Sequence, residues 1–196
     1  RDAGGLDPVP AHTRADSLLA AGNAAEIAAG FVAVGSPLGI GELTLLLDVL
    51  FVRATEFAVP ATDLPLLFSR LKAGGLKLGI ASSDNELSIR ETAKRFGIAD
   101  LVDFVAGYDS GFGTKPDPGM VLAFCAEAGL APGRVAMVGD NARDLLMGAS
   151  AGAGLRIGVL TGTGTRETLE PYADICIESI AALDGLLLRR EAGLRG

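Results

Sequence analysis

Asp140 and Asp144 stand four positions apart, just beyond the apolar run 135–138, in the segment Gly139-Asp140-Asn141-Ala142-Arg143-Asp144. If the run is a strand and a helix follows, one carboxylate sits at the strand tip and the other one helical turn on. Two acids so placed suit a hard cation that takes oxygen ligands and keeps water, namely Mg²⁺. They suit equally an Asp N-cap with a first-turn acid that complements the helix dipole. The residues alone leave those readings even. Lys115 lies in Gly113-Thr114-Lys115-Pro116-Asp117-Pro118, a turn stiffened by prolines that open a helix. A lysine held there can neutralise a phosphate or a developing anion. Taken by itself it reads better as a solvated surface charge. Ser82 and Ser83 follow the apolar run 76–81 and start a helical pattern. Hydroxyls and amides at a helix start suit an oxyanion, and suit a plain N-cap better. Thr161-Gly162-Thr163-Gly164 lacks the third glycine and the later acidic residue of a dinucleotide loop, so it reads as a turn.

The elements that must position these groups follow from hydrophobic period. Residues 13–58 read as helices, broken by Gly30, Gly35, Pro37, Gly39 and Gly41. From about residue 60 the pattern alternates. Helices are expected at 63–72, 86–96, 118–128, 142–151 and 180–190, with a short one before 174. Strands are expected at 76–81, 102–106, 135–138, 155–160 and 174–177. Short, near-continuous apolar strands alternating with helices predict an α/β fold, a Rossmann-like parallel sheet covered on both faces. Ligands of such sheets bind beyond the carboxyl ends of the strands. Ser82, Lys115 and Asp140 all fall after strands, in chain order. Hydroxyl, lysine and paired acids converging on one crevice are the parts of a phosphoryl-transfer site.

Composition narrows the classes. The chain has 196 residues, 49% hydrophobic and 21% charged, enough apolar material for a core and too much for disorder. A net charge of −7 argues against nucleic acid as a partner. The longest apolar stretch, 43–52, is interrupted by Asp48 and is too short to span a bilayer, so no membrane partner is expected. Cys125 and Cys176 form no metal-ligand spacing and read as buried thiols, which suits a reducing, cytoplasmic compartment. His12 is the only histidine, which excludes a multi-histidine zinc site and reads as solvated.

The ordered set of motifs resembles the haloacid dehalogenase superfamily, and most of all its phosphoglycolate phosphatase-like members. The matching segments are Leu78-Gly79-Ile80-Ala81-Ser82-Ser83, Gly113-Thr114-Lys115-Pro116-Asp117-Pro118 and Val138-Gly139-Asp140-Asn141-Ala142-Arg143-Asp144, with 149–154 as the small-residue stretch after them. The resemblance implies a small helical cap at 1–58 and an α/β core at 59–196. It implies that Ser82 and the Ser83 amide hold the phosphoryl group, and that Lys115 pairs with phosphate and nucleophile. Asp140 would ligate Mg²⁺ directly, and Asp144 would support the metal's waters or orient Lys115. Many relatives carry Asn where Ser83 stands. The implied activity is Mg²⁺-dependent hydrolysis of a small phosphorylated substrate such as 2-phosphoglycolate, through an aspartyl-phosphate. The nucleophile motif, a strand ending Asp-x-Asp-Gly-Thr, has no counterpart: no Asp-x-Asp occurs in the chain. That motif's strand is the family's central one. The sequence also opens on Arg1 without a Met, so a preceding segment is expected. The alternatives are a catalytically inactive binding protein of this fold, a sugar-phosphate mutase and a dehalogenase. A two-component receiver domain fits poorly, since its acidic pair lies at the first strand. Oligomeric state is not legible.

Overall fold

The computed structural model describes residues 17–193; His12 lies outside them. A one-turn helix α1 (Leu18–Ala21) leads into α2 (Ala24–Ala33). Asn23 starts α2 with a reciprocal capping box: its side chain accepts from the Glu26 amide, and the Glu26 carboxylate accepts from the Asn23 amide. α3 (Ile40–Ala54) packs on α2 and continues into a 3-10 turn, Thr55–Phe57. Asp63 caps α4 (Leu64–Ala73), with Pro65 in the first turn, where its missing N–H costs nothing.

Strands and helices then alternate: β1 (Gly79–Ala81), α5 (Glu86–Arg95), β2 (Phe104–Ala106), α6 (Gly119–Ala128), β3 (Ala136–Gly139), α7 (Ala142–Ala151), β4 (Leu155–Val159), α8 (Arg166–Leu169), β5 (Ile175–Ile177) and α9 (Leu183–Gly193). All pairings are parallel, as the apolar runs predict. Side chains of β3 alternate between two layers. Met137 packs with Met120, Val121, Cys125 and Met147 of α6 and α7 on one face. Ala136 and Val138 pack with Leu67 and Leu71 of α4 and Leu183 of α9 on the other. That is the period of two expected of a strand buried on both sides.

Among the described residues the sheet falls into two pieces, β1 paired with β2 and a β3-β4-β5 ladder, as expected of a chain without the strand of the nucleophile motif. Side chains bridge the two pieces, since Ala81 and Phe104 join the cluster of Met137, and Leu76 and Leu78 join that of Val138. Two expectations are corrected. The first strand is half the length expected from 76–81. The Leu78 amide bonds the Asp103 carboxylate at 2.8 Å, so a side chain takes the amide's place in the ladder, while the Leu78 carbonyl still accepts from the Asp103 amide at 2.7 Å. Lastly, Cys125 is buried but Cys176 is only half-buried, because β5 is an outer strand with one neighbour.

Candidate active site

Lys115 lies in the second half of the connection between β2 and α6, and its peptide bond to Pro116 is cis. Its Nζ donates to Asp144 Oδ1 at 2.6 Å, with side chains only 11% and 9% exposed. A lysine so enclosed is not the solvated charge that its composition alone suggests. Asp144 sits in the first turn of α7, where Oδ2 accepts from the Asn141 amide at 3.1 Å, closing a capping box. Gly139 makes room: a Cβ there would stand 2.3 Å from that of Asp144. The strand must therefore end on glycine for the acid to fold back against it.

Asp140 follows at the tip of β3. Its Oδ2 accepts from the Thr163 amide at 2.8 Å and from Thr163 Oγ1 at 3.3 Å. The 161–164 segment is a turn, as expected, and it wraps Asp140 closely. A Cβ on Gly162 would lie 1.9 Å from Asp140 Oδ2. The role of that turn was not legible in the sequence; two glycines flanking a threonine are its only trace.

Ser82 and Ser83 stand at the carboxyl end of β1, but they do not cap a helix. Asn85 does, accepting from the Ser88 amide at 2.8 Å. Ser82 Oγ donates to Asp84 Oδ2 at 3.0 Å and accepts from the Asp84 amide at 3.1 Å. Ser83 Oγ donates to the Ala21 carbonyl at 3.3 Å.

Arg143 connects the pieces, and nothing in its spacing marked it. Its guanidinium makes a two-pronged pair with Glu26, at 2.9 and 2.8 Å. It also donates to the Ala21 carbonyl at 2.9 Å and to the Lys115 carbonyl. Ser83, Arg143, Lys115 and Asp144 thus form one bonded chain through Ala21, while Ser82 stands beside it with no bond to it. Arg143's hydrogen bonds hold the Glu26 carboxyl below its ordinary range against the opposing effect of burial. A second polar contact lies on α3. Asp48 accepts from Asn85 Nδ2 at 2.9 Å and from Tyr108 Oη at 2.8 Å. Burial, and then the Asp48 carboxylate, raise the Tyr108 phenol far above its usual value.

Among the described residues no three His, Cys, Asp or Glu side chains cluster as a metal cage. Mg²⁺ does not ask for one. It binds through one or two carboxylates and fills its octahedron with water and phosphate oxygens. Asp140 Oδ1 has no hydrogen-bonding partner among the described residues, so that donor set fits Mg²⁺. Asp144 is committed to Lys115 and to its own helix start, which suits an orienting role.

A family model described as "haloacid dehalogenase-like hydrolase" matches residues 21–152. A phosphoglycolate phosphatase of Neisseria meningitidis is 32% identical over 109 residues, 55% of this chain and 46% of that protein. An N-acetylmuramic acid 6-phosphate phosphatase of Pseudomonas aeruginosa is 29% identical over 156 residues, 78% of this chain and 67% of that protein. The chain spans about half the length of most curated relatives it matches. Among solved structures, CbbY from Rhodobacter sphaeroides in complex with phosphate superposes with a TM-score of 0.72 at 21% identity, covering 85% of this chain and 77% of that one. That likeness establishes the fold. No helix among the described residues is long and apolar enough to cross a membrane.

Proposed function

This chain belongs to the haloacid dehalogenase-like hydrolases, and we propose from that membership that the full-length protein hydrolyses phosphomonoesters with Mg²⁺. The observation that carries the reading is the enclosed Lys115–Asp144 pair beside Asp140 at the tip of β3. Lys115 keeps a fixed positive charge where a phosphoryl group would sit. Fixed charges in a sheltered site stabilise a transferring phosphoryl group without reorganising at the moment of reaction. Ser82 Oγ and the Ser83 amide, at the end of β1, would donate to its oxygens. Asp140 would hold Mg²⁺, which supplies neutralisation of phosphate charge when bound. Asp144 orients Lys115.

The nucleophile in this reading is an aspartate that takes up the phosphoryl group before water releases it. No Asp-x-Asp occurs in the 196 residues, and the reading is therefore made for the full-length protein. Residues 1–58 would act as the cap over a core at 59–196, and the pairing of α2 with α3 supports this. The substrate class is a small phosphorylated metabolite in the cytoplasm. The phosphoglycolate phosphatase relative makes 2-phosphoglycolate the first candidate.

The test is phosphate release from p-nitrophenyl phosphate and from 2-phosphoglycolate by the full-length protein, with Mg²⁺ and with EDTA. Release that EDTA abolishes is expected. If neither compound is hydrolysed in Mg²⁺, this reading fails and the inactive binding member of the fold takes its place as the hypothesis to test.

A further inference from the structure

We propose that Arg143 is a positioning residue for Lys115, fastened by Glu26, so that docking of α2 sets the lysine's backbone. The inference rests on the phosphatase reading of Lys115. The donors of the Arg143 guanidinium form a rigid planar fork, and here they reach acceptors on three segments. These are the Ala21 carbonyl before α2, the Glu26 carboxylate in the first turn of α2, and the Lys115 carbonyl.

Lys115 is thereby gripped at both ends by the first turn of α7. Asp144 holds its ammonium, and Arg143, the preceding residue, holds its carbonyl. A long flexible side chain is aimed only when both root and tip are fixed. Without the carbonyl bond, the ion pair with Asp144 constrains Nζ but leaves the backbone free to shift. Misplacement of a catalytic group by about 1 Å can cost about a hundredfold in rate.

Glu26 makes the arrangement conditional. Its carboxylate accepts both prongs of Arg143 and also the Asn23 amide, as part of the α2 capping box. When α2 is seated with its first turn formed, the guanidinium is locked toward Lys115. When α2 moves away, the fork loses its two strongest acceptors. A lysine at 143 could supply the charge but not the three-way span.

The test uses the full-length protein in Mg²⁺ and reads calorimetric binding of inorganic phosphate beside p-nitrophenyl phosphate turnover. The variants are Arg143→Ala, Arg143→Lys, Glu26→Gln and Lys115→Ala, with Arg143→Ala and Glu26→Gln each also combined with Lys115→Ala. Arg143→Ala is expected to weaken phosphate about tenfold, the worth of one charge-assisted hydrogen bond. Arg143→Lys is expected not to restore it. In the Lys115→Ala background, Arg143→Ala is expected to add less than about twofold, because coupled residues are not additive. Unchanged binding in Arg143→Ala, full rescue by lysine, or an equal loss with and without Lys115 would each overturn the proposal. If Arg143→Ala does not fold, Glu26→Gln carries the test. It keeps one acceptor, and a partial loss that vanishes without Lys115 is expected; no loss overturns the proposal. A wild-type protein that neither binds phosphate nor releases it removes the phosphatase reading first, and this inference with it.

Discussion

Two side chains at the candidate site trade very different environments for one another. Lys115 and Asp144 bring opposite charges together out of water, and removing one leaves the other stranded. Lys115→Ala is expected to destabilise the fold by about 3 kcal/mol in urea unfolding, because the Asp144 carboxylate would remain buried without its counter-charge. Lys115→Ala/Asp144→Asn should recover part of that loss. Gly162 sets a different limit. A methyl group there would fall 1.9 Å from Asp140 Oδ2, so Gly162→Ala must push Asp140 aside. On the proposed function its expected outcome is loss of Mg²⁺-dependent phosphate release with the melting temperature nearly unchanged, since Gly162 itself is exposed. Titrating activity against Mg²⁺ concentration checks it. The family resemblance already pairs Asp144 with Lys115, although Lys115 by itself is one charge in a proline-rich turn. The approach of Gly162, one of 27 glycines, to Asp140 is not visible in the sequence.

Between elements, single polar side chains do the fastening. Asp103 ties the segment entering β2 to α4 and to the approach of β1. It accepts from Lys72 at 2.7 Å, Lys77 at 3.2 Å and the Leu78 amide at 2.8 Å. Burial raises its carboxyl, but the bonds from Lys72, Leu78 and Lys77 outweigh it and hold the group at about 2 against an ordinary 3.8. The unfolded chain therefore binds the proton more readily, and the stabilisation is present above the unfolded value. It is lost as pH falls through the folded one, and solvent screening of these partly exposed pairs keeps it to about 1 kcal/mol. Asp103→Asn should flatten the acid limb of a stability–pH profile between about pH 4 and 2 while changing little there at the lower end. Tyr108 supplies a second test at this scale. Asp48→Ala removes the carboxylate that its phenol donates to, so phenolate absorbance should appear at lower pH. Burial will keep it above the ordinary value. The strand and helix pattern was readable from apolar period alone, and α7 falls at 142–151 as expected. Strand lengths were not, because a carboxylate can take a ladder position, as Asp103 does at Leu78.

Across the molecule, the two helices α2 and α3 meet the strand ends through two separate polar contacts. Glu26 holds Arg143 after β3, and Asp48 holds Asn85 and Tyr108 after β1 and β2. α3 contributes no fully buried residue, and Leu45 is 70% exposed. Leu43, Leu47, Phe51 and Val52 are only half-buried as α3 packs on α2, so the polar contacts add to that partial apolar burial in holding α3 down. Glu26→Ala and Asp48→Ala together should raise amide hydrogen exchange through α2 and α3 and leave β3, β4 and α7 protected. Faster exchange spread evenly over the whole chain would contradict this division, because local opening reports local contacts.

The chain by itself determined the fold class, the order of elements and which residues follow strand ends. Those properties rest on local period, on turn residues and on the connection rules of parallel sheets, all of which are written along the sequence. It also singled out Ser82, Lys115, Asp140 and Asp144 as residues capable of one kind of chemistry. Only the tertiary structure decided what each of them touches. Asp144 bonds Lys115, Thr163 bonds Asp140, and Arg143 reaches Glu26 more than a hundred positions away. Contacts at such separation depend on how layers pack and on where a missing Cβ leaves space. No window of neighbouring residues encodes that geometry.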